Sequence, residues 1–310
     1  MQQQKINFRQ ERDFGLVLGD TLKFLKQNFK SFFASIILIV GPLILLMGLL
    51  YAYVQTTMMS TMTRNPSNPL AIFNSDYFTA LGTTVLCGFL SNILLSSVTY
   101  NYMCLYNEKA AGEKITVSEV ATKLWSNIGR LLISSVVFLI TMVLIITIIT
   151  LICIGVFSGL GVGGAVVIGL TLFFSMVIFI PVFTYFIPAS FYVVIRDNLF
   201  IYHAFAKVRS YLSGNFWWTW LIMVVSIICL GILQGLFSLP ASIMMMTKLF
   251  SRDQGTGGDS SVLLMVLYTL AMFLTYCTYS ILQIVAAFNF MSHEEKHEGK
   301  GLQSRIEEII

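Results

Sequence analysis

Charged residues are scarce in this sequence. Asp, Glu, Lys and Arg make up 11% of its 310 residues, against roughly 25% in an average soluble domain. Five stretches contain no Asp, Glu, Lys, Arg or His at all: 31–63, 77–107, the 65 residues 131–195, the 38 residues 210–247, and 260–292. A helix needs about 20 apolar residues to cross a hydrocarbon core of about 30 Å. Runs of this length therefore exclude a soluble enzyme, a nucleic-acid binder, a secreted disulfide scaffold and a disordered chain. Paired cysteines are missing too. Cys87, Cys104, Cys153, Cys229 and Cys277 are scattered through apolar segments with no CxxC pair. They read as small buried hydrophobes, and no disulfide is expected.

What is present is a set of six apolar spans, placed near 31–55, 77–106, 131–155, 165–195, 216–246 and 261–291. The run 131–195 is too long for one pass at 1.5 Å per residue. Gly155, Gly159, Gly161, Gly163 and Gly164 mark its expected reversal. Pro42, Pro181, Pro188 and Pro240 predict bends within the first, fourth and fifth helices. Six spans put both termini on one side. Of the 19 Lys and Arg, sixteen fall on that side and only Arg64, Lys248 and Arg252 on the other. The positive-inside bias makes the shared side cytoplasmic, and Trp125, Trp217, Trp218 and Trp220 fall near its interface. Lys5, Arg9, Arg12, Lys23, Lys26 and Lys30 precede the first span over a stretch too long and polar for a signal-peptide n-region, so that span is expected to be a retained anchor.

Self-similarity organises the chain further. Leu25-Lys26-Gln27-Asn28-Phe29, Leu124-Trp125-Ser126-Asn127-Ile128 and Leu212-Ser213-Gly214-Asn215-Phe216 each lead from an amphipathic stretch into a span. The expected unit is an interfacial helix plus a transmembrane hairpin, used three times (about 13–110, 111–198 and 199–292), with 293–310 as a cytoplasmic tail. Each Asn is placed to cap the following helix. The second and sixth spans also end alike, in Tyr100-Asn101-Tyr102-Met103 and Phe288-Asn289-Phe290-Met291. Within 14–33 the stripe Phe14, Leu18, Leu22, Leu25, Phe29 and Phe32 has helical spacing, with Lys23, Lys26 and Lys30 on polar ground. Such helices either lie in the headgroup plane against anionic lipid or fit under the bundle as structural elbows.

Phe14-Gly15 and the stretch from Thr21 to Lys30, followed by Gly41-Pro42, carry a resemblance, as do Ala204 to Asn215 and the closing Gly301-Leu302 and Arg305-Ile306-Glu307. On these residues the chain resembles bacterial membrane-protein families related to the YciC-like and glycerophosphodiester-phosphodiesterase membrane-domain groups, in versions typical of Bacteroidota. The resemblance implies a six-helix inner-membrane protein with no established activity. The catalytic barrel that sometimes accompanies such a membrane domain has no counterpart here, so no metal-binding acids are carried over.

Reactive constellations are missing from the sequence. No span interior holds an ionisable group, which argues against proton- or sodium-coupled transport through a buried acid. His293 and His297, with Glu294 and Glu298 nearby, have i,i+4 spacing that could suit a metal or simply form a solvated turn. The glycine run at 159–164 lacks the strand and the Gly-Lys-Ser/Thr of a phosphate loop and reads as a turn. Gly155-x-x-x-Gly159-x-x-x-Gly163 and Gly231-x-x-x-Gly235 suit close helix packing. Asn92, Gln234 and Gln283 are neutral polar groups that could line a pathway or bond between helices.

The leading expectation is therefore an all-α, non-catalytic inner-membrane protein, a scaffold or accessory subunit without cofactor or metal. Lys23, Lys26, Lys30, Lys207 and Arg209 would face lipid headgroups or an acidic membrane or cytoplasmic partner. The alternative is a small transporter or lipid-handling channel using Asn92, Gln234 and Gln283. The topology has a direct test. In a cysteine-free background, Ser67→Cys should react with a membrane-impermeant maleimide on intact cells, and Lys114→Cys only after permeabilisation. Equal labelling of both would refute the six-span arrangement.

Overall fold

The computed structural model describes residues 5–64, 73–110, 112–250 and 259–299, and the described backbone is helical apart from short connections, with no strand. The elements are α1 (Phe14–Ile39), α2 (Gly41–Arg64), α3 (Ser75–Glu108), α4 (Val117–Arg196), α5 (Ile201–Leu212), α6 (Phe216–Phe250) and α7 (Asp259–Glu298). Six stretches are long and apolar enough to cross a membrane: 41–61, 75–108, 117–151, 169–196, 216–247 and 262–298. The protein is an all-α polytopic membrane protein.

Helix α4 supplies two of these passes. A straight 80-residue helix would hold residues 130 and 198 about 100 Å apart at 1.5 Å per residue. Instead the Arg130 guanidinium donates to Asn198 Oδ1, and the Phe138 and Phe191 ring centroids lie 6.3 Å apart. The helical path therefore doubles back between Phe138 and Phe191. The expected glycine turn is not an open loop, because the backbone of 155–164 remains helical. Their side chains lie outside the described residues. In hydrocarbon a broken ladder leaves backbone groups without partners, which favours keeping helical bonds through a bend. Pro181 illustrates the alternative remedy. Its missing N–H frees the carbonyl of Val177, and the Trp220 indole of α6 donates to that oxygen at 3.4 Å.

The first span begins about ten residues later than the sequence suggested. α1 stays helical through Ile39, and the break falls at Val40, whose N–H donates to Ile36 O at 2.9 Å. Pro42 sets this boundary. Its ring opposes continuation of the preceding helix, yet it fits the first turn of α2, where its N–H would have no helical partner. The Leu-x-x-Asn steps also differ from expectation. Asn28 and Asn127 lie inside α1 and α4 and cap neither, and only at 213–215 does the chain break, with Gly214 at φ +87° between α5 and α6. The supposed tail likewise begins as helix, since α7 runs to Glu298; residues 300–310 lie outside those described.

Burial is concentrated toward the end that carries the termini. There Phe24 and Phe32 of α1, Tyr100 and Tyr102 of α3, Tyr185 and Tyr192 of α4, and Phe288 and Phe290 of α7 are fully enclosed. Toward the opposite end the helices turn apolar side chains outward, among them Val85, Leu151, Leu236 and Val262. One close crossing lies on that outer side of the core. A Cβ at Gly48 of α2 would meet the Thr269 backbone of α7 at 3.1 Å, whereas Gly231 and Gly235, the expected packing pair, face open space.

The apolar stripe of α1 is rotated from its sequence assignment. Val17, Thr21, Phe24, Leu25, Phe32 and Ile36 are buried against the bundle, while Leu22 and Phe29 are exposed. A helix with protein on one side and lipid on another carries apolar residues on both, so spacing alone does not tell them apart. Phe24→Ala should cost about 3–5 kcal/mol, as for a buried Phe, and visibly lower the unfolding midpoint in detergent. Phe29→Ala should leave it nearly unchanged. Equal losses would refute this phase.

Candidate functional site

The termini-bearing end holds most of the polar chemistry. Four segments remote in sequence meet there: 5–12, the junction of α3 with α4, the turn 197–200 with α5, and the last two turns of α7. The ends of the uncharged runs place the key groups. Arg196 is the first charge after 131–195, and Glu294 follows the run 260–292 closely. The two form a bidentate pair, with Arg196 Nη1 donating to Glu294 Oε2 at 2.5 Å and Nη2 to Oε1 at 2.6 Å. Arg196 Nε also donates to Asp197 at 2.6 Å. Lys207 Nζ, one helix away, reaches Asp197 at 2.8 Å and Glu294 at 2.9 Å. Two cations and two carboxylates thus join α4, α5 and α7, and fork-to-fork geometry makes the central bond strong and directional.

Aromatic rings form the floor of this network. The Arg196 guanidinium lies 5.3 Å from the Tyr192 ring centroid and 5.5 Å from that of Phe290. Arg12 sits 4.9 Å from Phe288 and pairs with Asp20 at 2.8 Å. Its backbone N–H donates to Ser292 Oγ at 2.8 Å, tying the N-terminal segment to α7. The Phe288-Asn289-Phe290 motif of α7 therefore presents two rings to two arginines. Cations over ring faces gain more where water is partly excluded. Neither arginine was singled out by sequence reasoning, which counted them only toward topology. The available signal was position, since Arg196 directly ends an uncharged run.

Burial raises the Asp197 carboxyl, but hydrogen bonds from Arg196 and Lys207 outweigh it and hold the group below its ordinary range. Burial lowers the Lys207 ammonium, and hydrogen bonds to Asp197 and Glu294 outweigh that, leaving it raised. The two shifts bracket the network. Asp197 stabilises the fold above its unfolded pKa, and that contribution is lost as pH falls through the folded value. Lys207 stabilises below its unfolded pKa and loses its contribution as pH rises through the folded one.

The residues anticipated from sequence separate into groups. Lys23, Lys26 and Lys30 on α1 and Arg209 on α5 are exposed. Lys207 is turned into the ion network and does not share their face, because the approach of Asp197 and Glu294 gives it two carboxylates at once. Asn92 lies beside Tyr279. Gln283 Nε2 donates to Ser96 Oγ at 2.8 Å and fastens α3 to α7, and Gln234 Nε2 donates to Thr278 Oγ1 at 3.3 Å and fastens α6 to α7. None lines the four cavities at the termini-bearing end. His293 is buried and bonded to Thr219 Oγ1 at 2.8 Å, while His297 stacks on Tyr211. The two imidazoles thus serve different neighbours, and no group of three or more potential metal ligands occurs among the described residues.

The Asn residues of the recurring steps reach across helices. Tyr102 Oη donates to Asn28 Oδ1 at 3.2 Å, Asn127 Nδ2 donates to Asn101 Oδ1 at 3.2 Å, and Lys296 Nζ donates to Asn215 Oδ1 at 3.2 Å. Comparison with protein families, with characterised proteins and with solved structures finds no match for this chain.

Glu294→Gln should destabilise the protein by about 3 kcal/mol, since it leaves two half-buried cations short of a carboxylate. The unfolding midpoint of the native chain should hold through neutral pH and fall below about pH 4, near the ordinary Asp value. Asp197→Asn should flatten that acid limb. A Glu294→Gln midpoint equal to that of the native chain would mean the network contributes nothing to stability.

Proposed function

We propose that this membrane protein is a non-catalytic scaffold or accessory subunit of a bacterial inner-membrane complex, with its termini in the cytoplasm. The observation that carries the reading is the division of its polar groups. Within the spans, Gln283 bonds to Ser96 and Gln234 to Thr278, each joining one helix to another. Exposed at the termini-bearing end are the cations Lys23, Lys26 and Lys30 of α1 and Arg209 of α5, together with further groups of both signs such as Lys114, Glu11 and Glu113. Interior bonds of this kind fix helices to one another, and exposed cations beside a membrane attract anionic lipid or an acidic protein surface. The resemblance to YciC-like membrane domains points the same way, toward a membrane module without its own catalytic centre.

A second reading, a small transporter or lipid-handling channel, draws on one observation. Gln283 Oε1 and Asn289 Oδ1 are buried without a protein partner, and a water or a solute hydroxyl would satisfy either. Extraction of native membranes into polymer nanodiscs separates the two readings. A protein at stoichiometric level is expected, and it should be lost when Lys23, Lys26, Lys30 and Arg209 are all replaced by Gln. A lone particle, with solute flux abolished by Gln283→Leu, would overturn the scaffold in favour of the transporter.

A further inference from the structure

A cavity of about 700 Å³ opens between the last turns of α3, the first turns of α4 and the turn after Arg196. Lys123, Arg130 and Arg196 line it, and Glu108 is its one carboxylate among the described residues. We propose that this cavity binds a singly charged phosphate group, held by the fork of Arg130.

The charges can be assigned one by one. Lys123 lies 2.6 Å from Glu108, so that pair is neutral. Arg196 belongs to the four-membered network with Asp197, Lys207 and Glu294, also neutral. Arg130 remains. Among the described residues no carboxylate lies within ion-pair distance of it, and its side chain makes one hydrogen bond, to Asn198 Oδ1. A guanidinium carries five N–H donors in a planar fork, so most of them are left for a ligand. The net excess of one positive charge at a half-enclosed site matches a monoanion.

The surroundings favour phosphate over a carboxylate or halide. Asn107 and Asn198 add neutral amides to the lining, and a tetrahedral oxyanion can accept from several directions while bonding the fork at two oxygens. Asn198 is held in place by its backbone: it is the one non-glycine residue with positive φ among those described, at 55°, a region asparagine tolerates better than most residues. That turn sets its carbonyl oxygen against Arg130 and steadies the guanidinium at the cavity wall. Arg130 is also the last charge before the run 131–195, and Trp125, one turn earlier, is 70% exposed. Tryptophan and arginine at the edge of a span are groups of the headgroup level. The phosphate can thus arrive on a lipid headgroup or free from solution.

The test is thermal unfolding of the full chain in a neutral detergent, titrated with dihexanoylphosphatidylglycerol, inorganic phosphate and dihexanoylglycerol. Saturable stabilisation by a phosphate compound, and none by dihexanoylglycerol, is expected. A response to the lipid alone assigns a headgroup site, and a response to inorganic phosphate as well assigns free phosphate. Arg130→Gln should weaken the response about tenfold, and Lys114→Gln should not change it. If Arg130→Gln does not fold, Arg130→Lys serves, because it keeps the charge without the fork and should still bind several-fold more weakly. Equal responses to dihexanoylglycerol and the phosphate lipid, no response to either phosphate compound, or unchanged binding in the folded Arg130 variant would overturn the proposal.

Discussion

Hydrocarbon gives a polar side chain nothing to bond to, and the architecture follows from that. Within the spans each neutral polar group needs a partner on its own or a neighbouring helix, and groups such as Asn101 and Gln283 find one. Ionised groups are kept to the ends of the uncharged runs. At the termini-bearing end those groups converge, and the pairing of Arg196 with Glu294 brings the end of the second α4 pass against the end of α7. Because Lys207 and Asp197 join the same network, the short helix α5 is oriented by it as well. Tightly enclosed rings sit beneath these charges.

The same constraint explains why the helices that lead into the spans behave differently from one another. α1 and α5 stop where Pro42 or Gly214 makes continuation unfavourable, so each can lie at an angle to the span that follows. Between Asn127 and Leu131 stands Gly129, but its backbone stays helical, unlike that of Gly214 at φ +87°, and α4 runs unbroken into its first pass. Three stretches with a common local pattern therefore adopt three junctions. Their asparagines still perform related tasks, each joining its segment to the end of α3 or α7. A hydrogen bond across helices is worth only about 0.6–2 kcal/mol in this setting, so these contacts orient elements that packing already holds.

The gradient of burial along the spans separates an anchored end from an apolar outer half. Rings and small residues close the first, with Ala286 and Ala287 beside Phe288 on α7. In the second, isoleucine, leucine and valine face outward, an arrangement that lipid tolerates without cost because acyl chains and aliphatic side chains are alike. The ion network, the exposed cations and the cavity beside Arg130 consequently share one end.

The sequence by itself determined the number of spans, the all-α class and the sidedness pattern of the basic residues, because run length and charge placement are one-dimensional quantities. It also located Asn92, Gln234 and Gln283 as groups in need of partners. Only the tertiary structure decided what each partner is. Lys207 and Arg209 are two residues apart on one helix, yet among the described residues Lys207 meets two carboxylates and Arg209 meets none. Leu22 and Phe29 share spacing with Leu25 and Phe32, yet lie on the outer side of α1. Gly48 carried no motif, yet a Cβ there would meet the Thr269 backbone of α7 at 3.1 Å. Arg196 was visible only as the charge that ends an apolar run, Arg12 as one of the basic residues before the first span, and Glu294 as a neighbour of His293 and His297. Their association depends on contacts between segments roughly 100 to 280 residues apart, and such contacts leave no period or spacing in a single chain.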